Sequence, residues 1–181
     1  MKFDIARQPL VPAFMTLFAL AVAAMCAGIP VPDTETSGAV REALPLLGGQ
    51  LARFQAAYPV WSKFAAGFML LFAGMCTGRI SIRYNLYTVG TCLPIPLYAI
   101  VACGIATGGN YLAGFAASML LALATKNYCR AFCNGYGFDA IFRASLYLGL
   151  MPLIYAPALP LLLLLPLAVL LFRLSLIHIS E

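Results

Sequence analysis

Long apolar runs alternate with short polar segments along almost the whole chain. A helix that crosses a bilayer needs about 20 mostly apolar residues, with a range of about 17–25. We therefore expect an all-α fold, a polytopic bundle of transmembrane helices with about six spans. The expected spans cover residues 12–29, 60–77, 86–106, 111–125, 144–156 and 159–172.

Prolines interrupt two of these runs. Pro94 and Pro96 are expected to break the third span, because a proline inside a helix removes a backbone hydrogen bond. The final apolar run, 144–172, contains four prolines. We expect it to form a short hairpin of two helices that turns at 156–160, and a single long kinked helix is the alternative.

The segment at 45–58 has a different pattern. Leu47, Leu51, Phe54 and Tyr58 recur at helical spacing, so that one face is apolar. This pattern predicts an amphipathic helix on the outer surface of the membrane. A helix that docks into the groove of a partner protein has the same pattern and is the alternative.

The first apolar run follows Lys2 and Arg7, as in a secretory signal peptide, and residues 21–23 offer a small-residue cleavage pattern. We favour an uncleaved first helix, because the run is long enough to span a membrane and further apolar runs follow. A cleaved signal peptide is the alternative.

The composition supports a membrane protein. Hydrophobic residues make up 63% of the 181 residues and charged residues 9%, against about 45–50% and about 25% in soluble domains. A small soluble domain has too little interior to bury so much apolar surface. This excludes a soluble enzyme, a disordered chain and a disulfide-rich secreted module. Because the basic residues are scattered singly, we expect no nucleic acid as a partner. For a membrane protein, the expected partners are the lipid bilayer and other membrane subunits.

The basic residues also predict the orientation, because they concentrate in the cytoplasmic loops of membrane proteins. Two basic segments, an expected short loop at 78–85 and a longer stretch at 126–143, face the cytoplasm if the N-terminus is inside. With the expected C-terminal hairpin, eight basic residues then lie inside and three outside, whereas the reverse topology violates the rule, so we expect the N-terminus inside. The eight are Lys2, Arg7, Arg79, Arg83, Lys126, Arg130, Arg143 and Arg173, and the three are Arg41, Arg53 and Lys63.

The final eight residues, 174–181, read LSLIHISE. They resemble the translation of an adapter used in sequencing libraries, and we expect them to be an artefact. The single membrane domain then comprises residues 1–173, truncated at its C-terminus, and His178 has no role in its chemistry. A genuine short tail is the alternative.

A glycine-rich candidate loop precedes the expected fifth span, and it consists of Asn134, Gly135, Tyr136 and Gly137. The GYG string resembles a potassium-channel filter, and together with Asp139 the loop resembles the GxGD signature of intramembrane aspartyl proteases. Basic residues rather than an apolar pore helix precede it, and one residue too many separates Gly137 from Asp139. We interpret it as a flexible inner loop.

Asp139 and Arg143 are four residues apart, a spacing at which side chains on a helix form ion pairs. This pair is the candidate site. We favour a structural pair at the membrane boundary. The alternative is a substrate or proton site, because ionisable groups at membrane depth are commonly functional.

No residues indicate a metal ion, a cofactor or catalysis. Cys129 and Cys133 share a helical face, but a structural zinc ion needs four ligands. The chain contains no P-loop, dinucleotide fingerprint, HExxH or GxSxG motif. We expect no enzyme activity in residues 1–173. Small residues four apart favour close helix packing instead, and these pairs are Gly74 and Gly78, Ala24 and Gly28, and Gly104 and Gly108.

Five segments carry a family resemblance: residues 8–10, 58–61, 79–87, 134–143 and 155–158. Their order resembles bacterial multi-pass inner-membrane proteins of the domain-of-unknown-function type. The resemblance implies a location in the bacterial inner membrane and carries over no activity.

Two functions remain. We expect a structural or accessory component of an envelope complex, because few polar residues lie within the expected spans. The alternative is a transporter or permease fragment whose proline-broken helices line a path. Residues 12–77 and 86–172 lack the internal repeat that many transporters contain.

Overall fold

The computed structural model describes residues 10–26, 46–84, 92–106, 110–133 and 138–167. Within these ranges all regular structure is helical and no strand occurs, which confirms the all-α class. The α-helices are α1 (Leu10–Cys26), α2 (Leu46–Ala57), α3 (Pro59–Arg83), α4 (Pro94–Ala106), α5 (Tyr111–Cys133) and α6 (Phe138–Ile154). A 3-10 helix at Ala156–Leu163 and one α-helical turn at 164–167 follow α6.

Among the described residues, α3 is the one helix that is long and apolar enough to cross a membrane. Two shorter apolar helical stretches are Leu10–Ala23 and Ala156–Leu167. The expected amphipathic helix at 45–58 coincides with α2 to within a residue at each end. The six expected spans go beyond what the length and composition of the described helices show.

Helix α3 is longer than the sequence analysis expected. It continues to Arg83, so the basic loop expected at 78–85 is wrong for residues 78–83. A loss of apolar character does not end a helix, because arginine, isoleucine and serine propagate the backbone hydrogen bonds at little cost. The Tyr84 N–H closes the last turn by donating to Ile80 O at 3.1 Å.

Helices α5 and α6 likewise extend into the segment that was expected to be a basic connection. Helix α5 continues to Cys133 rather than ending near residue 125, and α6 begins at Phe138 rather than near residue 144. Polar side chains in this stretch bond to their own helix, since Asn127 Nδ2 donates to Leu123 O at 2.9 Å. The connection between the two helices is therefore much shorter than expected.

Pro94 and Pro96 do not break a helix in the described part of the chain. Both lie in the first turn of α4. The first four N–H groups of a helix have no intrahelical partner, so the missing amide of proline removes no hydrogen bond there. The expected span at 86–106 is described only from residue 92 onward.

The hairpin expected in the final apolar run starts close to its expected turn. Helix α6 ends at Ile154, two residues after Pro152. The following segment returns along the bundle, because Leu161 and Leu165 pack into the same cluster as Leu148 of α6. Its first part is a 3-10 helix containing Pro160, which cannot donate an amide hydrogen bond to continue an α-helix.

Helix α1 packs antiparallel to α3 through two glycines. A Cβ atom added to Gly67 would lie 2.5 Å from Met25 Sδ, near the end of α1. A Cβ atom on Gly74 would lie 2.7 Å from Leu17 Cδ1, near the middle of α1. The contacted residue on α1 therefore comes earlier in the chain as the residue number on α3 increases, which means that the two helices run in opposite directions.

Helix α4 also packs antiparallel to α3. Gly78 faces the side chain of Ile95 at the start of α4, and Gly74 faces Tyr98 one turn later. The close approach expected at Gly74 and Gly78 is thus present. The same expectation is wrong for Gly104, because a Cβ atom there would meet no atom within 4 Å.

Helices α5 and α6 complete the alternation of directions. Helix α5 runs parallel to α3, since the hydroxyls of Ser62 and Tyr111, near the two helix starts, lie 2.6 Å apart. Helix α6 runs antiparallel to α5, because Ala140 near its start packs against Ala131 near the end of α5. Helices α1, α3, α4, α5 and α6 therefore form a bundle in which helices adjacent in sequence reverse direction.

Helix α2 lies at the end of the bundle where α3 and α5 begin. It contacts α3, α5 and α6, and Gln55 Oε1 accepts a hydrogen bond from the Leu112 N–H at 3.4 Å. This amide belongs to the first turn of α5, so Gln55 supplies an acceptor to a donor that has no intrahelical partner. The amphipathic helix is thus docked on the bundle.

The interior of the bundle is built mainly from small side chains. Of the 25 buried hydrophobic residues, 15 are alanines, whereas eight phenylalanines are exposed and Phe115 is the one buried phenylalanine in the described part. Soluble proteins have the opposite distribution, with their large apolar side chains inside. The lateral surface is therefore strongly apolar.

Candidate functional site

A cleft between the last turns of α3 and the second half of α5 is the candidate site. Its residues on α3 are Phe72, Met75, Cys76, Arg79, Ile80 and Arg83, and Tyr84 and Lys126 complete the lining. The α3 positions recur at intervals of three and four, so they share one helix face. The cleft has a volume of about 220 Å³, below the roughly 300–1,000 Å³ of sites for drug-sized ligands. It suits a compact chemical group.

The α3–α5 cleft is divided into an apolar and a basic part. Phe72 and Met75 line it toward the middle of α3, whereas Arg79 and Arg83 line it toward the helix end. At a rise of 1.5 Å per residue, the eleven steps from Phe72 to Arg83 cover about 16.5 Å along the helix axis. Lys126 adds a positive charge from the neighbouring helix.

The three cations of the cleft have no carboxylate partner within the described ranges. Asp139 is the one acid there, and it is paired with Arg143. Like charges so close together repel each other unless water, salt or a bound anion screens them. The cleft therefore presents a local excess of positive charge beside an apolar wall.

Two polar contacts between side chains join helices of the bundle outside the cleft. Ser62 Oγ lies 2.6 Å from Tyr111 Oη and also donates to Pro59 O at 2.8 Å, so this buried pair is satisfied. Tyr98 Oη lies 3.0 Å from Ser118 Oγ and joins α4 to α5. Buried hydroxyls in apolar surroundings need such partners, because unpaired ones carry a desolvation cost. The Ser62–Tyr111 contact lies at the end of the bundle where α3 and α5 begin, and both contacts hold α5 against its neighbours.

The ion pair proposed from the sequence forms in the structure but lies outside the α3–α5 cleft. Arg143 Nε donates to Asp139 Oδ1 at 3.0 Å, within the first turns of α6. Their side chains are 57% and 68% exposed, respectively. Exposed pairs of this kind contribute about 0–1 kcal/mol. The geometry is that of a surface pair on one helix.

The other candidates from the sequence are the glycine-rich loop and the two cysteines on one helix face. The loop of Asn134, Gly135, Tyr136 and Gly137 lies outside the described residues, as does the side chain of Cys133. Cys129 is half-buried. In the part of the chain that the structure describes, no three His, Cys, Asp or Glu side chains cluster in a way that could hold a metal ion.

The cleft was not predicted from the sequence, although one signal was visible. Arg79 and Arg83 were counted only as indicators of orientation and were assigned to a loop. The spacing of three and four residues from Phe72 to Arg83 continues a helical face, and that continuity signals one surface with an apolar and a basic part. The contribution of Lys126 depends on how α5 packs against α3, which no local pattern contains.

Comparisons of the chain with protein-family models, with curated proteins and with solved structures found no match.

Proposed function

We propose that the chain is a multi-pass protein of the bacterial inner membrane, with its N-terminus in the cytoplasm, that acts as a structural or accessory component of an envelope complex. The distribution of large and small side chains is the observation that carries the proposal. Phe64 and Phe68 on α3 are 61% and 68% exposed, and Val101 on α4 is 72% exposed, while alanines fill the contacts between helices.

This distribution suits a lipid solvent and is costly in water. A large apolar side chain left in water forgoes about 1.5–3 kcal/mol of burial, and the surface carries many such side chains. In a bilayer, apolar surface need not be buried in the protein. Helices in a bilayer associate through small residues that permit close packing. Gly74 and Gly78 are such residues here, because they let α3 approach its neighbours closely.

The helix directions support the proposed topology. Helices α1, α3, α5 and α6 have 17, 25, 23 and 17 residues, within the range of about 17–25 that spans a bilayer. Helix α4, with 13 residues, and the Ala156–Leu167 arm are shorter than this range, and they complete the six proposed spans. Because helices adjacent in sequence reverse direction, Arg79, Arg83 and Lys126 lie at one end of the bundle. The positive-inside rule assigns that end to the cytoplasm.

Aromatic residues at the opposite end support the same assignment. Tyr58 and Trp61 are 57% and 69% exposed, and with Phe54 and Phe64 they border a shallow surface groove. Tyrosine and tryptophan concentrate at the boundary between lipid and water. The start of α3 and the docked helix α2 therefore belong at the outer interface.

A structural role is favoured over transport because the interior carries little polar chemistry. Among the described residues, the buried polar groups of side chains are the hydroxyls of Ser62, Ser81, Tyr111 and Tyr128, and no charged side chain is buried. Ion-coupled transporters bind their substrates and ions near the middle of the membrane through broken helices and polar groups. The interruption between α6 and the 3-10 helix favours transport as the second candidate, but the buried core residues that pack together beside it are apolar: Ala117, Leu148, Met151 and Ala158.

Reporter fusions test the proposed topology. Alkaline phosphatase fused after residue 109 should be active, because this connection is proposed to lie outside. The same enzyme fused after residue 135 should be inactive, whereas a green fluorescent protein fused there should fluoresce. Equal phosphatase activity at both sites would contradict the alternation of the spans.

A further inference from the structure

We propose that the α3–α5 cleft binds the phosphate headgroup of an anionic phospholipid, with an acyl chain lying along Phe72 and Met75. The inference rests on the proposed membrane location, because it requires the cleft to open at the cytoplasmic boundary of the bilayer.

The charges of the cleft match a phosphate group. Arg79 and Arg83 each present planar guanidinium donors that fit phosphate oxygens in pairs. Lys126 faces them from α5 as a compact positive charge. Basic pockets between transmembrane helices on the cytoplasmic side are suited to anionic lipid headgroups. An anion here also relieves the repulsion among three cations that lack a carboxylate in the described residues.

The depth of the charges matches the boundary between hydrocarbon and headgroups. Phe72 and Met75 lie within the expected span at 60–77, whereas Arg79 and Lys126 follow directly after the apolar runs of their helices. Met75 and Arg79 are separated by about 6 Å along α3. This distance is close to the thickness of one headgroup layer, about 5–8 Å.

The apolar wall favours a lipid over a free phosphate compound. Phe72 and Ile80 line the cleft, and Met75, which is 46% exposed, extends the apolar lining to the surface. A soluble phosphate compound has no apolar group that could contact this apolar lining, whereas an acyl chain attached to a bound headgroup packs against it. A volume of about 220 Å³ is small, so the cleft holds the phosphate group and the part of one acyl chain beside Phe72 and Met75, and the rest of the lipid lies outside it.

A binding experiment on the purified full chain tests the proposal. Binding of phosphatidylglycerol and phosphatidylcholine to the protein in mild detergent would be measured by native mass spectrometry, with thermal unfolding as a second readout. We expect phosphatidylglycerol to bind more tightly and to raise the unfolding temperature. Arg79→Gln, Arg83→Gln and Lys126→Gln should each weaken its binding about fivefold, the effect of removing one basic residue that acts on an anionic lipid, because each of these side chains contacts the bound headgroup in the proposed site.

Arg130→Gln is the matched control. Arg130 lies one turn after Lys126 on α5, is exposed, and does not line the cleft. Its replacement should leave phosphatidylglycerol binding within twofold of the unmodified protein. Unfolding temperatures measured without lipid verify that the variants fold. If Arg130→Gln weakens binding as much as Arg79→Gln does, the effect is general surface charge and the cleft assignment is wrong.

Soluble glycerol phosphate distinguishes a lipid from a free phosphate compound. We expect glycerol phosphate to compete for the cleft only at concentrations far above those of phosphatidylglycerol. We expect Met75→Ser to weaken the binding of phosphatidylglycerol but not that of glycerol phosphate. Equal competition by glycerol phosphate, or equal binding of the two lipids, would overturn the proposal. The reporter fusions and the lipid binding test different proposals. If the topology is as proposed but the two lipids bind equally, the cleft site alone is wrong. If phosphatidylglycerol binds more tightly but the fusions show another topology, the proposed orientation is wrong.

Discussion

Replacing Gly78 with alanine tests the packing of α3 against α4 by adding a single methyl group. A Cβ atom at this position would lie 2.5 Å from Ile95 Cδ1 and closer still to Cγ1 of the same side chain. Carbon atoms pack best at about 3.5–4.0 Å. Because Cγ1 is attached directly to the Ile95 Cβ, rotation of the far end of the side chain does not relieve the overlap. The two helices must separate or Ile95 must change rotamer.

The magnitude follows from two opposing effects. Overpacking of a close contact costs about 1–3 kcal/mol, while alanine stabilises a helix by about 0.5–1 kcal/mol relative to glycine. We therefore expect Gly78→Ala to lower the free energy of unfolding by about 1–2 kcal/mol. Gly149→Ala is the matched control, because a Cβ atom on this α6 glycine meets nothing within 4 Å. That variant should be neutral or slightly more stable.

A double-mutant cycle with Ile95→Ala isolates the contact. This change removes the two Ile95 atoms, Cγ1 and Cδ1, that would overlap with a Cβ on Gly78. The double variant should therefore be about 1–2 kcal/mol more stable than the sum of the two single changes predicts. Denaturant unfolding in mild detergent, followed by circular dichroism, supplies the four free energies. If Gly78→Ala resembles Gly149→Ala, or if the two changes are additive, the close approach of α3 and α4 is wrong.

Three further predictions concern polar groups. Ser62→Ala should lower the free energy of unfolding by about 1–3 kcal/mol, because it leaves the buried Tyr111 hydroxyl unpaired. Tyr111→Phe should lower it by about 1 kcal/mol, because Ser62 keeps its bond to a backbone carbonyl. Equal losses in denaturant unfolding in detergent would contradict this difference. Ser81→Ala should be neutral or stabilising, since its buried hydroxyl has no hydrogen-bond partner in the described residues, and a loss above about 1 kcal/mol would argue against this. Asp139→Ala should lower stability by less than about 1 kcal/mol, because the pair with Arg143 is exposed; a double variant that accumulates normally yet lacks function in a complementation assay would favour the transport alternative.

The sequence predicts where the helices lie better than where they end. Apolar runs placed α3 and α5 correctly, because burial in lipid or protein selects for such runs. Their ends at Arg83 and Cys133 were missed because backbone hydrogen bonding continues where hydropathy stops. Conversely, Pro94 was read as an interruption, although a proline in the first turn of a helix removes no bond.

Contacts between helices were predictable only where residue size restricts them. Gly74 and Gly78 were identified because small residues permit close approach, but Gly104 has the same spacing and faces open space. Whether a glycine lies at a contact depends on the rotation of its helix, which is determined by all neighbours together. The meeting of Lys126 with Arg79 and Arg83 depends on the same packing and was not predictable from one segment.

The most direct test of the central claim, that the large apolar side chains face lipid, is the accessibility of spin labels in vesicles. Labels would be attached to single cysteines introduced at Phe68, Val101 and Arg83, in a chain whose native cysteines are replaced. Relaxation by oxygen, which concentrates in lipid, should exceed relaxation by a water-soluble nickel chelate at positions 68 and 101, and the reverse should hold at 83. If the nickel chelate reaches positions 68 and 101 as readily as 83, these surfaces face water and the membrane account is wrong.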